Sequence, residues 1–158
     1  MRQSSGPLTL RPKRWFSWNF AVEDAQRHVA DLDVSWWRDR GTLIVNGTSY
    51  RVYREGLVSG DFVLETDGGT LARATKVSAF RRAFELSYAD STYTLRARGP
   101  FWRSFVLESG PDEVGSIIPA SFLRRQAVVT LPDSLPLPVK VFAMWLTVLI
   151  WKRDSEST

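Results

Sequence analysis

Cysteine is absent from the 158-residue chain, which excludes disulfide staples, thiolate metal sites and a cysteine nucleophile. Histidine occurs once, at position 28, so no His-pair metal site can form and triad chemistry is left with one candidate base. Glycine-rich phosphate loops, HExxH pairs and GxSxG elbows are all missing, and each is the local geometry that its chemistry requires. Acidic residues concentrate only at Glu23, Asp24, Asp31, Asp33 and Asp39. There Asp31 and Asp33 alternate with Leu32 as the outward face of a strand, whereas a hard cation needs oxygen ligands converging from a loop. The expectation is a non-enzymatic protein with no catalytic residues, metal or cofactor; a hydrolase built on His28 stands as a third class. The first fourteen residues carry four cations and no apolar run, unlike a secretory leader, and a cytoplasmic location is expected.

What is present is apolar, aromatic and patterned. The chain is 44% hydrophobic and 13% aromatic, a composition that folds into one domain of this length. Its net charge is +4, and Arg2, Arg11, Lys13 and Arg14 account for all of it, because the remaining basic and acidic residues balance. From Trp15 onward apolar residues recur with period two, the mark of half-buried strands. Phe16, Trp18, Phe20 and Val22 share one face, and His28, Ala30, Leu32, Val34 and Trp36 share the next. "TLIVNGTSYRVYR" places Asn46-Gly47 between two such runs, a hairpin turn needing positive φ at both positions. The pattern continues through Asp67-Gly68-Gly69, Asp90 and Gly110-Pro111-Asp112 to "RRQAVVTL". This gives eleven or twelve short strands. An internal repeat aligns Leu43–Glu65 with Leu86–Glu108 at a constant offset of 43 residues, Tyr50 on Tyr93 and "FVLE" on "FVLE". Two copies of a four-stranded unit point to pseudo-symmetric closure, which removes sheet edges.

The segment "LPLPVKVFAMWLTVLIWK", residues 135–152, is helical in logic and apolar on every side. Such a helix must be buried, in lipid or in a core. Its uncharged part, Val141 to Trp151, spans roughly 16 Å against a hydrocarbon thickness of about 30 Å. A barrel of about twelve strands has a lumen that one apolar helix fills. The expected fold is therefore all-β with one helix: a closed barrel of about twelve mostly antiparallel strands, from two pseudo-repeats, enclosing the C-terminal helix. Residues 1–12 read as a flexible basic tail, 13–153 as a single barrel domain with its helix over about 137–152, and 154–158 as a polar tail.

The strand count, the "WWRDRGTLIVNGTSYRV" unit, the duplication and the C-terminal apolar helix together resemble the tubby-like barrel superfamily, in particular its phospholipid scramblase and LURP-one-related branch. The resemblance covers Trp15 to Arg153. It implies a twelve-stranded barrel threaded by its last helix, and a function in binding phosphoinositide headgroups or other membrane lipid. "LPDSLPLP" carries a single acid where a scramblase has an acidic calcium segment, and no family lipid residue is transferred. From the residues themselves, two candidate phosphate or lipid contacts stand out. Arg11, Lys13 and Arg14 flank Trp15 and Trp18, a pairing suited to an anionic surface. Arg81-Arg82 and Arg124-Arg125 follow Phe80 and Phe122 at related places in the repeat, where guanidinium forks brought together suit phosphate oxygens; pairing with Glu85, Glu108 or Glu113 is the alternative. Binding or scaffolding at an anionic membrane is thus the expected function. A membrane-anchored protein whose residues 135–152 enter the bilayer is the alternative. No nucleic-acid motif occurs, no protein partner is indicated, and a monomer is the default.

Overall fold

In a computed structural model the described residues are 6–15, 17–34, 39–56, 60–77, 82–99, 103–120 and 125–157. They form twelve strands and one helix: β1 Leu8–Pro12, β2 Asn19–Asp24, β3 Arg27–Val34, β4 Arg40–Val45, β5 Thr48–Arg54, β6 Phe62–Thr66, β7 Gly69–Lys76, β8 Ala83–Tyr88, β9 Ser91–Ala97, β10 Phe105–Ser109, β11 Asp112–Pro119, β12 Ala127–Thr130 and α1 Leu137–Glu156. Every strand pairs with its sequence neighbours, and β12 closes the barrel on β1, antiparallel throughout. The expected architecture is the observed one.

The two ends of the barrel differ. One, the turn end, carries two-residue turns at Ala25-Gln26, Asn46-Gly47, Asp67-Gly68, Ala89-Asp90 and Gly110-Pro111. Asn46 (φ 48°) and Gly47 (φ 83°) adopt the left-handed pair that the sequence signals, and so do Ala25 (φ 48°) and Gln26 (φ 71°), which carry no such signal. The other end, the loop end, carries the longer connections over 13–18, 35–39, 55–61, 77–82, 98–104 and 120–126. Three β-bulges fall between Val22/Glu23, Leu64/Glu65 and Leu107/Glu108. The "FVLE" copies at 62–65 and 105–108 therefore have a third counterpart, "FAVE" at 20–23, so the four-stranded unit recurs around the barrel.

Two expectations are corrected. Residues 8–12 are not a tail but β1, paired with both β12 and β2. Leu8 and Leu10 are buried and Arg11 is exposed, and without this strand the edges of β2 and β12 would stand open. His28 does not share the buried face of Ala30 and Leu32. The bulge leaves Val29 unpaired between Ala30 and His28, which reverses the alternation and turns His28 outward, its side chain 56% exposed. The expected faces containing Phe16 and Trp36 lie partly outside the described residues.

Helix α1 enters at the turn end and runs to the loop end through the lumen. Pro136 caps it and Pro138 sits in its first turn, where a missing N–H costs nothing. Every residue from Val139 to Lys152 is buried, so the barrel covers the helix on all sides. The inner wall meets it with Phe20, Phe62, Phe84 and Phe105, and in the next layer with Leu43, Leu64, Leu86 and Leu107. Burying each such side chain contributes about 1.5–3 kcal/mol. The polar atoms of the helix face find partners: Trp145 Nε1–H donates to the Asp33 carbonyl (2.9 Å), Trp151 Nε1–H to the Arg103 carbonyl (2.9 Å), and Thr147 Oγ1–H to the Ala143 carbonyl (3.0 Å). The helix runs four residues beyond the expected end, to Glu156, where the barrel no longer encloses it. No helix among the described residues is long and apolar enough to cross a membrane.

Candidate functional site at the loop end

The outer wall is a lattice of cross-strand ion pairs. Arg73 engages Glu55 (2.8 Å), Arg96 engages Glu108 (2.6 Å), Arg98 engages Glu113 (2.6 Å), and Arg51 pairs with Glu65. The Arg73 guanidinium holds the Glu55 carboxyl below its usual range, first through their hydrogen bonds. Glu65 accepts a hydrogen bond from Tyr53 Oη–H (2.6 Å), which pushes the phenol pKa up. Two of the sequence-nominated cations belong to this lattice: Arg11 pairs with Glu23, and Lys13 lies 2.5 Å from Asp31. Arg14 is exposed. Asp31 also receives His28 Nε2 at 3.1 Å, and the same nitrogen donates to the Ala30 carbonyl at 2.9 Å. That environment orients no nucleophile. No group of acids and histidines among the described residues is arranged to hold a metal ion.

Arg82 and Arg125 are placed differently, and Arg81 and Arg124 lie outside the described residues. The expected partners Glu108 and Glu113 are taken by Arg96 and Arg98. Arg82 instead reaches inward across the barrel end, donating to Asp154 Oδ2 (2.6 Å) and to the Gly99 carbonyl (3.3 Å), with its guanidinium 5.7 Å from the Phe105 ring centroid. Arg125 lies over the Trp18 ring (4.5 Å) and beside Phe20 (5.9 Å), and donates Nη2–H to the Trp15 carbonyl.

A third arginine, which the sequence reading passed over, completes the arrangement. The Arg103 guanidinium stacks on Trp151 at 4.9 Å, while the Trp151 indole holds the Arg103 carbonyl. Phe20 lies 6.5 Å from both Trp151 and Trp18. Arg103, Trp151, Phe20, Trp18 and Arg125 thus make one continuous cation and aromatic chain across the barrel end. The signal was available in the repeat: Arg82, Arg103 and Arg125 each stand two residues before an inward residue of the same ring, Phe84, Phe105 and Ala127. The three precede β8, β10 and β12, and their contacts with Phe105, Trp151 and Phe20 turn them toward the mouth.

Electrostatics sets this mouth apart from the wall. Burial lowers the pKa of Arg103, with the Asp154 carboxylate acting in the opposite sense. Burial also lowers that of Arg125, and the positive charge of Arg103 adds to the effect. Arginine nevertheless stays charged at neutral pH. Neither Arg103 nor Arg125 forms an ion pair with a carboxylate among the described residues. Three other cations at this end have carboxylate partners: Asp39 takes Arg54 (2.9 Å) and Arg153 (2.7 Å), and Glu156 takes Lys152 (2.6 Å). Next to Arg125, Trp15 is 82% exposed. On the adjoining wall the cross-strand pair Ile118 and Val128 also faces outward. The loop end therefore combines desolvated positive charge with exposed apolar surface. No protein-family model matches this chain, and neither the curated proteins nor the solved structures yield a match.

Proposed function

We propose that this chain is a non-enzymatic binding protein of the tubby-like barrel type that docks its loop end on anionic phospholipid. One observation carries the proposal: Arg103 and Arg125 are stacked on tryptophans and lack carboxylate partners among the described residues, next to the exposed Trp15, while Arg11, Arg51, Arg73 and Arg96 on the wall are paired with carboxylates. An indole at the rim suits headgroup depth, and each arginine near an anionic surface adds about 1 kcal/mol of attraction. The cytoplasmic leaflet, where such lipid concentrates, is the proposed site of action. Nothing comparable supports anchoring through residues 135–152, whose apolar surface is already covered by the barrel.

The test is co-sedimentation with phosphatidylcholine vesicles containing increasing phosphatidylserine. Binding is expected to rise with anionic content and fall with salt, and to blue-shift tryptophan emission by an amount that Trp15→Ala diminishes. An Arg103→Gln/Arg125→Gln variant that binds like the parent chain, or equal binding to neutral vesicles, overturns the proposal.

A further inference from the structure

The barrel is closed by one ladder unlike the rest. The other eleven join consecutive strands, each pair linked by a turn or loop of its own, whereas β1 meets β12 only through space. A short connection keeps two strands within reach when their hydrogen bonds open, because closing a small loop costs little entropy; β1 and β12 have no such tether. Theirs is also the shortest ladder. Leu8 with Val129, Thr9 with Val128 and Leu10 with Ala127 are its three registered pairs, where the others have four to six.

Side chains add little across it. β12 contains no charged residue, so no ion pair joins it to β1, and the nearby cations turn the other way, Arg11 to Glu23 on β2 and Lys13 to Asp31 on β3. On the inner face Leu10 meets Ala127, which stands where Phe84 and Phe105 fill the ring elsewhere, and a methyl group buries far less apolar area than a phenyl ring. One side chain does reach across. Arg125, two residues before β12, donates Nη2–H to the carbonyl of Trp15, which follows β1, and its guanidinium lies over Trp18 and beside Phe20 of β2.

We propose that the β1–β12 ladder is a gate, the place where the native barrel opens without unfolding, and that Arg125 is its latch. β1 moves with β2 and β3, to which the ion pairs of Arg11 and Lys13 bind it, and β12 stays with β11. Opening leaves Leu8 and Leu10 on one lip and Ala127 and Val129 on the other. It bares the strand edges that closure had covered and admits water to the lumen beside α1. Local openings of this kind lie below the free energy of global unfolding. The gate is independent of what the loop end binds.

The experiment is amide hydrogen exchange of the full chain under native conditions, read residue by residue by NMR. The seam-facing amides among residues 8–10 and 127–129 are expected to exchange at least about tenfold faster than the slowest amides of the six-pair β4–β5 ladder, as a sub-global opening requires. The chain has no cysteine, so Thr9→Cys/Val128→Cys can place one disulfide across the seam, where directly opposite strand residues have the spacing that a bridge needs. Oxidising that variant should slow seam exchange about tenfold relative to its reduced form. Ser87→Cys/Thr92→Cys, an opposite pair on β8–β9, should leave the seam rates unchanged when oxidised. Arg125→Gln should accelerate the seam amides severalfold and spare those of β4–β5. Seam amides as slow as the β4–β5 amides in the parent chain overturn the gate, and so does a seam rate that the Thr9→Cys/Val128→Cys bridge leaves unaltered. Acceleration of every amide alike in Arg125→Gln, or of none, overturns the latch.

Discussion

Replacing Gly41 by Ala tests how tightly the helix is keyed into the barrel. A Cβ built on Gly41 would lie 2.1 Å from the Asp33 carbonyl oxygen and 2.2 Å from Trp145 Nε1. Those are the two atoms of the indole hydrogen bond that ties α1 to β3. Gly41 is paired opposite Val34 in the barrel wall, so the backbone cannot retreat, and Trp145 is fully buried. The substitution must therefore break the hydrogen bond and displace a large ring. Loss of the bond with its carbonyl left buried costs about 1–3 kcal/mol, and overpacking a filled core costs about 1–3 kcal/mol more. A total near ~4 kcal/mol is a large part of the 5–15 kcal/mol or so available to a domain. For this chain length it corresponds to a fall in Tm of about 10 °C and in the urea midpoint of about 2 M. Thermal and urea unfolding followed by circular dichroism measure it. A Trp145→Phe partner variant separates keying from a local backbone effect, since both changes remove the same bond and the double variant should lose less than the sum of the singles. A Gly41→Ala chain unfolding within about 2 °C of the parent (~0.5 kcal/mol), or strictly additive losses, would refute this account of helix docking.

Two further outcomes follow from the charges. Glu55 titrates below its ordinary range because Arg73 bonds it, so the pair adds stability above the unfolded-state pKa and loses it as pH falls through the lower folded value. Arg73→Gln should return the Glu55 carboxyl resonance to the ordinary titration range by NMR, and its stability deficit should disappear in acid; an unchanged midpoint for Glu55 contradicts the pairing. Lys140 is 8% exposed inside the barrel wall and meets only the exposed Asp133, at 3.8 Å, among the described residues. Replacing a poorly compensated buried charge by an apolar residue of similar length is neutral or stabilising, so Lys140→Met should leave the urea midpoint equal or higher, and a marked fall would show that the ammonium is structurally required.

The barrel was legible because its signals are redundant. Alternation, Asn46-Gly47, the "FVLE" copies and an all-apolar helix each point to the same closed wall, and an error in one strand is corrected by the others. β1 was missed for a local reason: five residues with two leucines among basic neighbours carry too little periodicity to separate a strand from a tail, and only the open edges of β2 and β12 demand it. His28 was misplaced because a bulge inserts one residue and inverts parity, and nothing in "RHVADLDV" marks where the insertion falls. The same parity argument, applied to the correct strands, would have found Arg103. It was overlooked because "FWRSF" has one arginine where "FRRAF" and "LRRQA" have two, and doubled arginines drew attention to number when position within the repeat was the informative variable.

Position also explains why the cations divide into two populations. Several cations of outward parity lie on a wall where the neighbouring strand supplies a carboxylate, Glu65 directly opposite Arg51 and Glu108 two residues along from the position opposite Arg96. At the loop end Arg103 and Arg125 have aromatic neighbours and no carboxylate partner among the described residues. Asp39 is consumed by Arg54 and Arg153, and Asp154 arrives only from the helix. A closed barrel with its lumen filled offers its ligands a wall or a rim. Here Arg11, Arg51, Arg73 and Arg96 of the wall are already paired, and the rim retains two guanidinium groups with no carboxylate partner among the described residues.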